Sequence, residues 1–491
     1  MSTNDLPPDV VAAETVGAPA DDSGPAPFLL EPVSPGTQLE ENRLLNGPIR
    51  STVFWLSLPI LGEQALNAAI AWNDTFLAGR ISAVATGAVG FASYVSWLMT
   101  MLFAMVGIGA TAIVARAIGA RNPKEAIHAT NQAFVMSVAV GLAGTALVYL
   151  IAPVFATMLN MEARAAAVAV TYMRIDSLGL VGAAVSLAMA ACLRGAGDTR
   201  TPLKVFAGVN IANFILSWVL TFGFGRWSGM GVSGIAWGTV LARYLGALGF
   251  LVILQRREMP LQLHAHQFRP DRHLIVRMVR VGAPAALDGL LSFTGHFVFM
   301  TIVTRVPTEF PTDVIYAAHI VGIRVESLSY LPANGYMYAA ATLVGQNLGA
   351  GKQDRARLCA NEGVRQTAMI MVASGLVLFF GAEWMFRFLS DSEGVRRCGV
   401  PALRVLACFQ LTLAPLIVYT GALRGAGDTR VPILITIVGM ACVRIPMALF
   451  GGFVLNLGLL GAWLGMFSDL TVRAMLVSWR FRRGAWQRIK V

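Results

Sequence analysis

The sequence carries little charge for its length. Charged residues make up 13% of its 491 residues, whereas an ordinary soluble domain has roughly 25%. Hydrophobic residues account for 56%, and the mean hydropathy is +0.64. This composition excludes an ordinary soluble protein and indicates a chain that is largely embedded in a membrane.

Cysteines are also few, and their pattern excludes two kinds of site. The five cysteines are odd in number and show no CxxC spacing: Cys192, Cys359, Cys398, Cys408 and Cys442. We therefore expect neither a disulfide framework nor a structural metal site. The sequence lacks an HExxH motif and a Ser/His/Asp grouping, so we expect no enzymatic activity. We also expect no cofactor, and no metal other than a transported Na⁺.

The first 45 residues lack the basic start and apolar core of a cleaved signal peptide. Residues 1–45 are rich in Pro, Ala, Asp and Glu, which predicts a disordered cytoplasmic tail. The net charge of +11 comes from Lys and Arg in alternate loops, so it indicates topology and no nucleic-acid partner. By the positive-inside rule, both termini lie in the cytoplasm of a multi-pass protein of the inner (plasma) membrane.

An octapeptide occurs twice. LRGAGDTR runs from Leu193 to Arg200 and again from Leu423 to Arg430, an offset of 423 − 193 = 230 residues. GARNPKEA at Gly119 and GAGKQDRA at Gly349 have the same offset, 349 − 119 = 230. The chain is therefore a duplication, and parallel repeats in an apolar chain are typical of secondary transporters.

Apolar stretches of about 20 residues recur in both halves and predict twelve transmembrane helices. The predicted spans are 52–79, 84–114, 127–152, 165–190, 203–224 and 232–254, then 280–305, 314–344, 363–386, 399–420, 432–453 and 459–481. Six crossings per half predict two lobes related by a pseudo-two-fold axis along the membrane normal. The predicted segments are 46–254 for the first lobe, 255–279 for a cytoplasmic loop, 280–482 for the second lobe and 483–491 for a basic cytoplasmic tail.

The paired LRGxGDTRxP segments and the ATLVGQNLGAG run from Ala341 to Gly351 resemble those of multidrug and toxic compound extrusion (MATE) transporters. The resemblance covers about residues 50 to 485. It implies secondary active efflux of an organic, cationic and amphipathic compound by antiport with H⁺ or Na⁺, from a monomer surrounded by lipid. The alternative is an exporter or flippase of an anionic metabolite or lipid-linked precursor on the same fold.

Helix 1 carries polar residues that are costly inside a membrane. Glu63, Asn67 and Asp74 fall within about 40° of one another around the helix, and Pro59 favours a kink. By resemblance, Asp74, fifteen residues after Pro59, is the leading residue for binding the coupling cation. Depth favours Glu63, which lies nearer mid-span, and a structural hydrogen bond is its alternative role.

Helix 5 presents Asn210, Asn213 and Ser217 on one face. Many MATE relatives have an acidic residue at the position of Ser217, so this chain lacks one carboxylate there. Asn213 and Ser217 are predicted supporting ligands of the cation, with plain helix packing as the alternative.

The second lobe contains a further polar set. Asp288 is the repeat partner of Glu63, and sodium-coupled relatives place carboxylates where this sequence has Ser292 and Leu413. We therefore expect no sodium site in this lobe. The residues predicted to contact substrate, or to form buried ion pairs instead, are Asp288, His296, Arg324, Glu326 and Tyr330, with His319 nearby.

The duplicated octapeptide itself is interpreted as a topological joint. Gly195 and Gly197 can end one helix, Asp198 or Thr199 can cap the next, and Arg194 and Arg200 are expected to hold the loop in the cytoplasm. In the same way, Arg424 is expected to lie in the loop after helix 10.

Overall fold

The computed structural model describes residues 44–158, 162–256 and 259–489, and nearly all of them are helical. Most of the predicted tail, up to residue 43, lies outside the described residues. Helices 1 to 6 span Ile49–Ile81, Ala83–Gly119, Pro123–Met158, Ala163–Leu178 with Leu180–Ala196, Arg200–Phe222 and Val232–Leu254. Helices 7 to 12 span Arg272–Val303, Thr312–Gly349, Gln353–Leu389, Glu393–Gly425, Arg430–Val454 and Gly458–Arg482.

Within these described ranges, ten helices are long and apolar enough to cross a membrane, and the bent helix 4 makes eleven. Helix 4 bends by 43° between its two segments, on either side of Gly179. Helix 8 is the twelfth and has 38 residues. It carries polar residues, among them Arg324 and Glu326, and is not one of the ten.

The helices form two groups, which we call the N-lobe (helices 1 to 6) and the C-lobe (helices 7 to 12). Most helices pack mainly within their own group, but helix 7 packs chiefly against helix 2, and its residues Leu274 and Met278 belong to the N-lobe apolar core. Between the lobes, helix 2 packs against helices 7 and 8, and helix 1 packs against helix 8.

The lobes meet closely at the end of the bundle where the basic loops follow helices 2, 4, 8 and 10, which we call the basic end. A side chain at Gly119 would overlap the backbone of Gln346, and one at Gly349 would overlap the backbone of Arg116. These contacts are repeat partners, since 349 − 119 and 346 − 116 are both 230. The duplicated glycines therefore let helices 2 and 8 cross about the pseudo-two-fold axis.

Hydrogen bonds between the lobes accompany this crossing. The Thr342 hydroxyl donates to the Arg194 carbonyl (3.0 Å) and the Gln346 amide to the Gly195 carbonyl (2.9 Å). The Arg116 guanidinium donates to the Ala426 carbonyl (2.9 Å). The basic end is thus closed by packing and by backbone recognition.

The loop between the lobes is held against helix 3. The Gln132 amide donates to the carbonyls of Gln267 (2.8 Å) and Arg269 (2.9 Å). Helix 7 begins at Arg272, inside the loop predicted over 255–279, because Asp271 accepts hydrogen bonds from the amides of His273 and Leu274. A capped start lets the helix form earlier than its apolar run indicates.

Candidate functional site

Asp74 lies in the interior of the N-lobe. It is buried with 8% exposure, and its Oδ2 accepts a hydrogen bond from the Thr239 hydroxyl of helix 6 at 3.0 Å. Its other oxygen, Oδ1, is buried and has no partner among the described residues. A carboxylate oxygen left open in this way is available to a proton or a small cation.

The predicted residues of helix 5 lie beside this carboxyl group. The Asn213 amide donates to the Thr239 hydroxyl at 2.9 Å and lies 3.4 Å from the Ser217 hydroxyl, while Asn73 donates to the Asn213 side-chain oxygen at 3.2 Å. Asn213 and Ser217 are almost fully buried. The structure therefore joins Asp74, Asn213 and Ser217 in one polar cluster, and hard oxygen donors of this kind suit H⁺ or Na⁺.

An ion pair lies next to this cluster. Asp176 of helix 4 and Arg243 of helix 6 are 3.0 Å apart, and the Ser96 hydroxyl donates to Asp176 at 2.8 Å. The sequence analysis missed these residues and Thr239. An ionisable residue within an apolar span is a signal that could have drawn attention to Asp176 and Arg243.

The arginines of the duplicated octapeptide do not lie in loops, so that expectation is wrong. Helix 4 continues to Ala196 and helix 10 to Gly425, so Arg194 and Arg424 belong to the last helical turns. Arg194 lies 2.5 Å from Glu63, and Arg424 lies 2.7 Å from Asp288. A carboxylate partner offsets the cost of each buried guanidinium, which is why these arginines can point inward.

The two ion pairs are repeat partners on facing helices. Glu63 is 1% exposed and also has one oxygen without a partner among the described residues, and the Arg194 guanidinium lies over the Tyr338 ring at 4.9 Å. Asp288 pairs with Arg424 and not with Arg324 or His296, the two partners considered from sequence. Glu63 and Asp74 share helix 1 but belong to separate networks, about 16 Å apart along the helix axis.

Three other predicted residues take no part in either network. The Asn210 amide donates to the Phe206 carbonyl within its own helix at 2.9 Å. Asn67 is half-buried and has no hydrogen bond among the described side chains. Helix 1 runs without interruption through Pro59.

The C-lobe contains a cavity of about 340 Å³. Its charged lining consists of Asp288, Arg424, Arg444 and Arg473, and His296 and Tyr330 also face it. The other lining residues are Trp97, Ser292, Asn334, Met337, Leu416, Ile417, Thr420, Pro432, Ile435, Thr436, Met440, Leu470 and Val477.

Asp469 of helix 12 anchors two of these arginines. Arg444 Nη2 lies 2.7 Å from Asp469 Oδ2, and Arg473 Nε lies 3.0 Å from Asp469 Oδ1. Asp469 is fully buried, with 0% exposure. The sequence analysis missed all three residues, although their charges in apolar spans were a signal of the same kind as Asp74.

The remaining predicted residues of the C-lobe divide between the cavity and other surroundings. Tyr330 donates from its hydroxyl to Glu326 at 3.0 Å, so Glu326 lies behind the cavity wall. His319 is buried and accepts a hydrogen bond from the Trp463 indole at 3.1 Å, and its ring stacks on His296. Arg324 is exposed and does not line this cavity.

Comparison with known proteins places this architecture in a family. The MatE family model matches residues 59–247 and 284–450, which together cover most of both lobes. A probable multidrug resistance protein NorM from Thermotoga maritima is 33% identical over 443 residues, 90% of this chain and 94% of that protein. The chain belongs to the MatE family of transporters.

Further relatives agree with this assignment. The multidrug resistance protein PmpM from Pseudomonas aeruginosa is 25% identical over 88% of this chain and 90% of its own length. An outward-facing multidrug resistance MATE transporter has a TM-score of 0.83 at 20% identity, covering 94% of this chain and 100% of that one.

A structure of a MOP superfamily transporter from Pyrococcus furiosus has a TM-score of 0.84 at 20% identity, covering 94% of this chain and 100% of that one. It is described as having a binding pocket of reverse polarity that suggests a different function. These likenesses confirm the predicted all-helical membrane fold of twelve helices in two lobes. As a member of this transporter family, the chain handles small molecules in a membrane.

Proposed function

We propose that this MATE-family chain is a secondary active efflux transporter in which Asp74 couples export of an organic compound to entry of H⁺ or Na⁺. The observation that carries the proposal is the buried Asp74 carboxyl group, which has one oxygen bonded to Thr239 and the other without a described partner. Binding of a cation there neutralises a charge that the lobe interior stabilises poorly.

The closed basic end supports an alternating-access cycle. We propose that the basic loops and both termini face the cytoplasm of the plasma membrane, so the contacts of Gly119 and Gly349 close the cytoplasmic side of a monomer. Uptake of the ion at Asp74 from outside then accompanies release of cargo, and rocking of the lobes separates helices 2 and 8 and returns the ion to the inside.

Two cargo classes remain candidates. The family resemblance predicts an amphipathic cation. The three arginines lining the C-lobe cavity favour the alternative, an organic anion, because a buried cationic wall attracts the opposite charge. For either class of cargo, the proposed function includes no enzymatic activity and no cofactor.

The test is transport by purified protein in liposomes, with a panel of fluorescent cations and anions under imposed pH or sodium gradients. Wild-type protein should move cargo only when the gradient of the coupling ion is present. D74N should fold normally but lose gradient-driven transport by roughly two orders of magnitude or more. The amide of asparagine neither takes up and releases a proton nor offers a negative charge to Na⁺.

The matched control is E309Q, which removes a carboxylate from an exposed position. It should transport at the wild-type rate. Wild-type rates in D74N, or equal losses in D74N and E309Q, would remove Asp74 from the mechanism.

A further inference from the structure

The charged groups of the C-lobe cavity are arranged in layers. The cations Arg424, Arg444 and Arg473 line it, with Asp288 as the lining carboxylate among the described residues. Asp469, fully buried, and Glu326, bonded to Tyr330, lie behind this lining. A ligand in the cavity would therefore meet three guanidinium groups and one carboxylate at the lining.

Arg444 and Arg473 have hydrogen-bonding capacity to spare. Asp469 engages Arg444 through Nε and Nη2, and Arg473 through Nε, while Arg473 Nη1 donates to the Thr436 hydroxyl at 3.3 Å. Arg444 Nη1 and Arg473 Nη2 have no partner among the described residues. Both guanidinium groups line the cavity, and N–H groups of this kind can donate charge-assisted hydrogen bonds to a carboxylate.

The backbone of helix 11 positions this site. The segment Val438–Arg444 is a π-helix, and π-helical turns occur frequently at functional sites. Gly439 allows helix 12 to approach, since a side chain at this position would overlap Asp469 and Arg473. The local widening of helix 11 and the close approach of helix 12 therefore bring Arg444 and Arg473 to the same wall of the cavity.

The rest of the cavity suits an apolar body. Leu416, Ile417, Met440 and Leu470 provide aliphatic walls. Trp97, from helix 2, is the one described lining residue that the N-lobe contributes. Because the wall includes both lobes, a movement of one lobe against the other would change the site.

We propose that the C-lobe cavity binds the carboxylate of an amphipathic organic acid, with Arg444 and Arg473 holding the acid and the aliphatic wall holding its apolar part. Such an acid is then a cargo of the transporter, an extension that rests on the proposed efflux function. The N-lobe carboxyl group would handle the ion, and the C-lobe arginines the cargo.

The experiment uses the full-length protein purified in detergent and a pair of isosteric probes, 1-naphthaleneacetate and its neutral amide. Calorimetric titration should show the acid binding about ten-fold or more tightly than the amide, the effect of a charge-assisted hydrogen bond. R473Q should abolish this preference, and R444K should reduce it, because lysine keeps the charge and loses the planar fork.

The matched control is R305Q, which removes the same charge from an exposed arginine and should keep the full preference for the acid. A thermal unfolding curve for each variant verifies folding, and R444K serves if R473Q does not fold. Amide binding as tight as acid binding in the wild type would overturn the proposal, as would equal losses in R473Q and R305Q.

The outcomes also separate this inference from the proposed function. Binding in detergent needs no gradient, so D74N should retain the preference for the acid. If D74N abolishes gradient-driven transport while wild-type protein shows no preference for the acid, the cavity assignment alone fails. If the preference is present and D74N still transports with the gradient, the coupling role of Asp74 alone fails.

Discussion

The two lobes share a scaffold and differ in the chemistry of their interiors. Glu63 with Arg194 and Asp288 with Arg424 are equivalent ion pairs, joining the first helix of each lobe to the last turn of its fourth, where the octapeptide begins. The second residue of the octapeptide, an arginine, therefore makes the same ion pair in both lobes. The repeated arginine therefore connects the first and fourth helices of its lobe, and it also lies where the chain turns from one helix to the next.

Elsewhere the equivalent positions carry different groups. The repeat partner of Asp74 is Phe299, since 299 − 74 equals the offset 288 − 63 = 225 of the acidic pair. The partner of Arg243 is Asp469, since 469 − 243 equals the offset 463 − 237 = 226 of the paired tryptophans. Arg444 lies over the Phe299 ring at 5.7 Å. The two lobes thus share the same arrangement of helices, whereas the charged residues in their interiors differ.

The largest expected effect concerns the shared ion pairs. R194A leaves Glu63 buried without its cation, which should cost about 3–5 kcal/mol of stability. R424A should cost less, because the side chains of its pair are 17% and 10% exposed, against 7% and 1% for Arg194 and Glu63. Unfolding curves of detergent-solubilised protein measure both.

The double variant E63M/R194M provides the control for that comparison. It removes both charges and should recover most of the lost stability. Equal stability of R194A and wild type would show that the pair does not fasten the N-lobe, and a larger loss in R424A would reverse the ranking of the lobes.

An intermediate effect concerns the surroundings of Asp74. T239V removes the hydroxyl that donates to Asp74 Oδ2 and should change the apparent affinity for the coupling ion by about ten-fold. T221V is the matched control, because the buried Thr221 hydroxyl has no described partner. Transport measured over a range of pH and sodium concentration distinguishes them, and identical curves would place Thr239 outside the ion site.

The smallest expected effect concerns the N-terminal caps of helices 1 and 7, the first helix of each lobe. Helix 7 has Asp271 as a side-chain cap, whereas helix 1 follows Pro48 without one. The hydrogen bond with His128 is the main cause that holds the pKa of Asp271 below its ordinary value, followed by the Leu274 amide. The cap therefore contributes above the ordinary pKa of aspartate and is lost as the pH falls through the lowered value.

Hydrogen exchange of the His273 and Leu274 amides measures this contribution. D271A should speed their exchange at neutral pH, and should lower their protection factors, which correct for the intrinsic exchange rate at each pH, to those that the wild type shows only in acid. The control D313A alters an exposed residue in the first turn of helix 8 and should leave both amides protected. Unchanged exchange in D271A would show that the cap is dispensable.

The number of helices and their grouping into two lobes could be predicted from the sequence. Long apolar runs and duplicated motifs predicted twelve helices in two lobes, because hydrocarbon thickness fixes helix length and the repeat fixes the grouping. The sequence predicts Asp198 or Thr199 as the cap of helix 5, and it is the Asp198 carboxylate that accepts hydrogen bonds from the amides of Arg200 and Thr201. A helix cap involves residues only a few positions apart, so it can be predicted directly from the sequence.

The partners of the polar residues were harder to predict. Arg194 was assigned to a loop because basic residues mark cytoplasmic loops, yet its partner Glu63 lies 131 residues away. Thr239 and Asp74 are 165 residues apart. Such pairings depend on how helices rotate and cross, which the spacing of residues along the chain does not specify. The roles of Arg444 and Arg473 were not predicted either, because their shared partner Asp469 depends on how helices 11 and 12 pack together.

The most direct test of the division between lobes is exchange of labelled cargo across liposomes without any ion gradient, in wild type and D74N. Exchange needs cargo binding and lobe movement but no net flow of the coupling ion. We predict that D74N retains exchange and loses uphill transport. Uphill transport by D74N at the wild-type rate would contradict the assignment of coupling to the N-lobe.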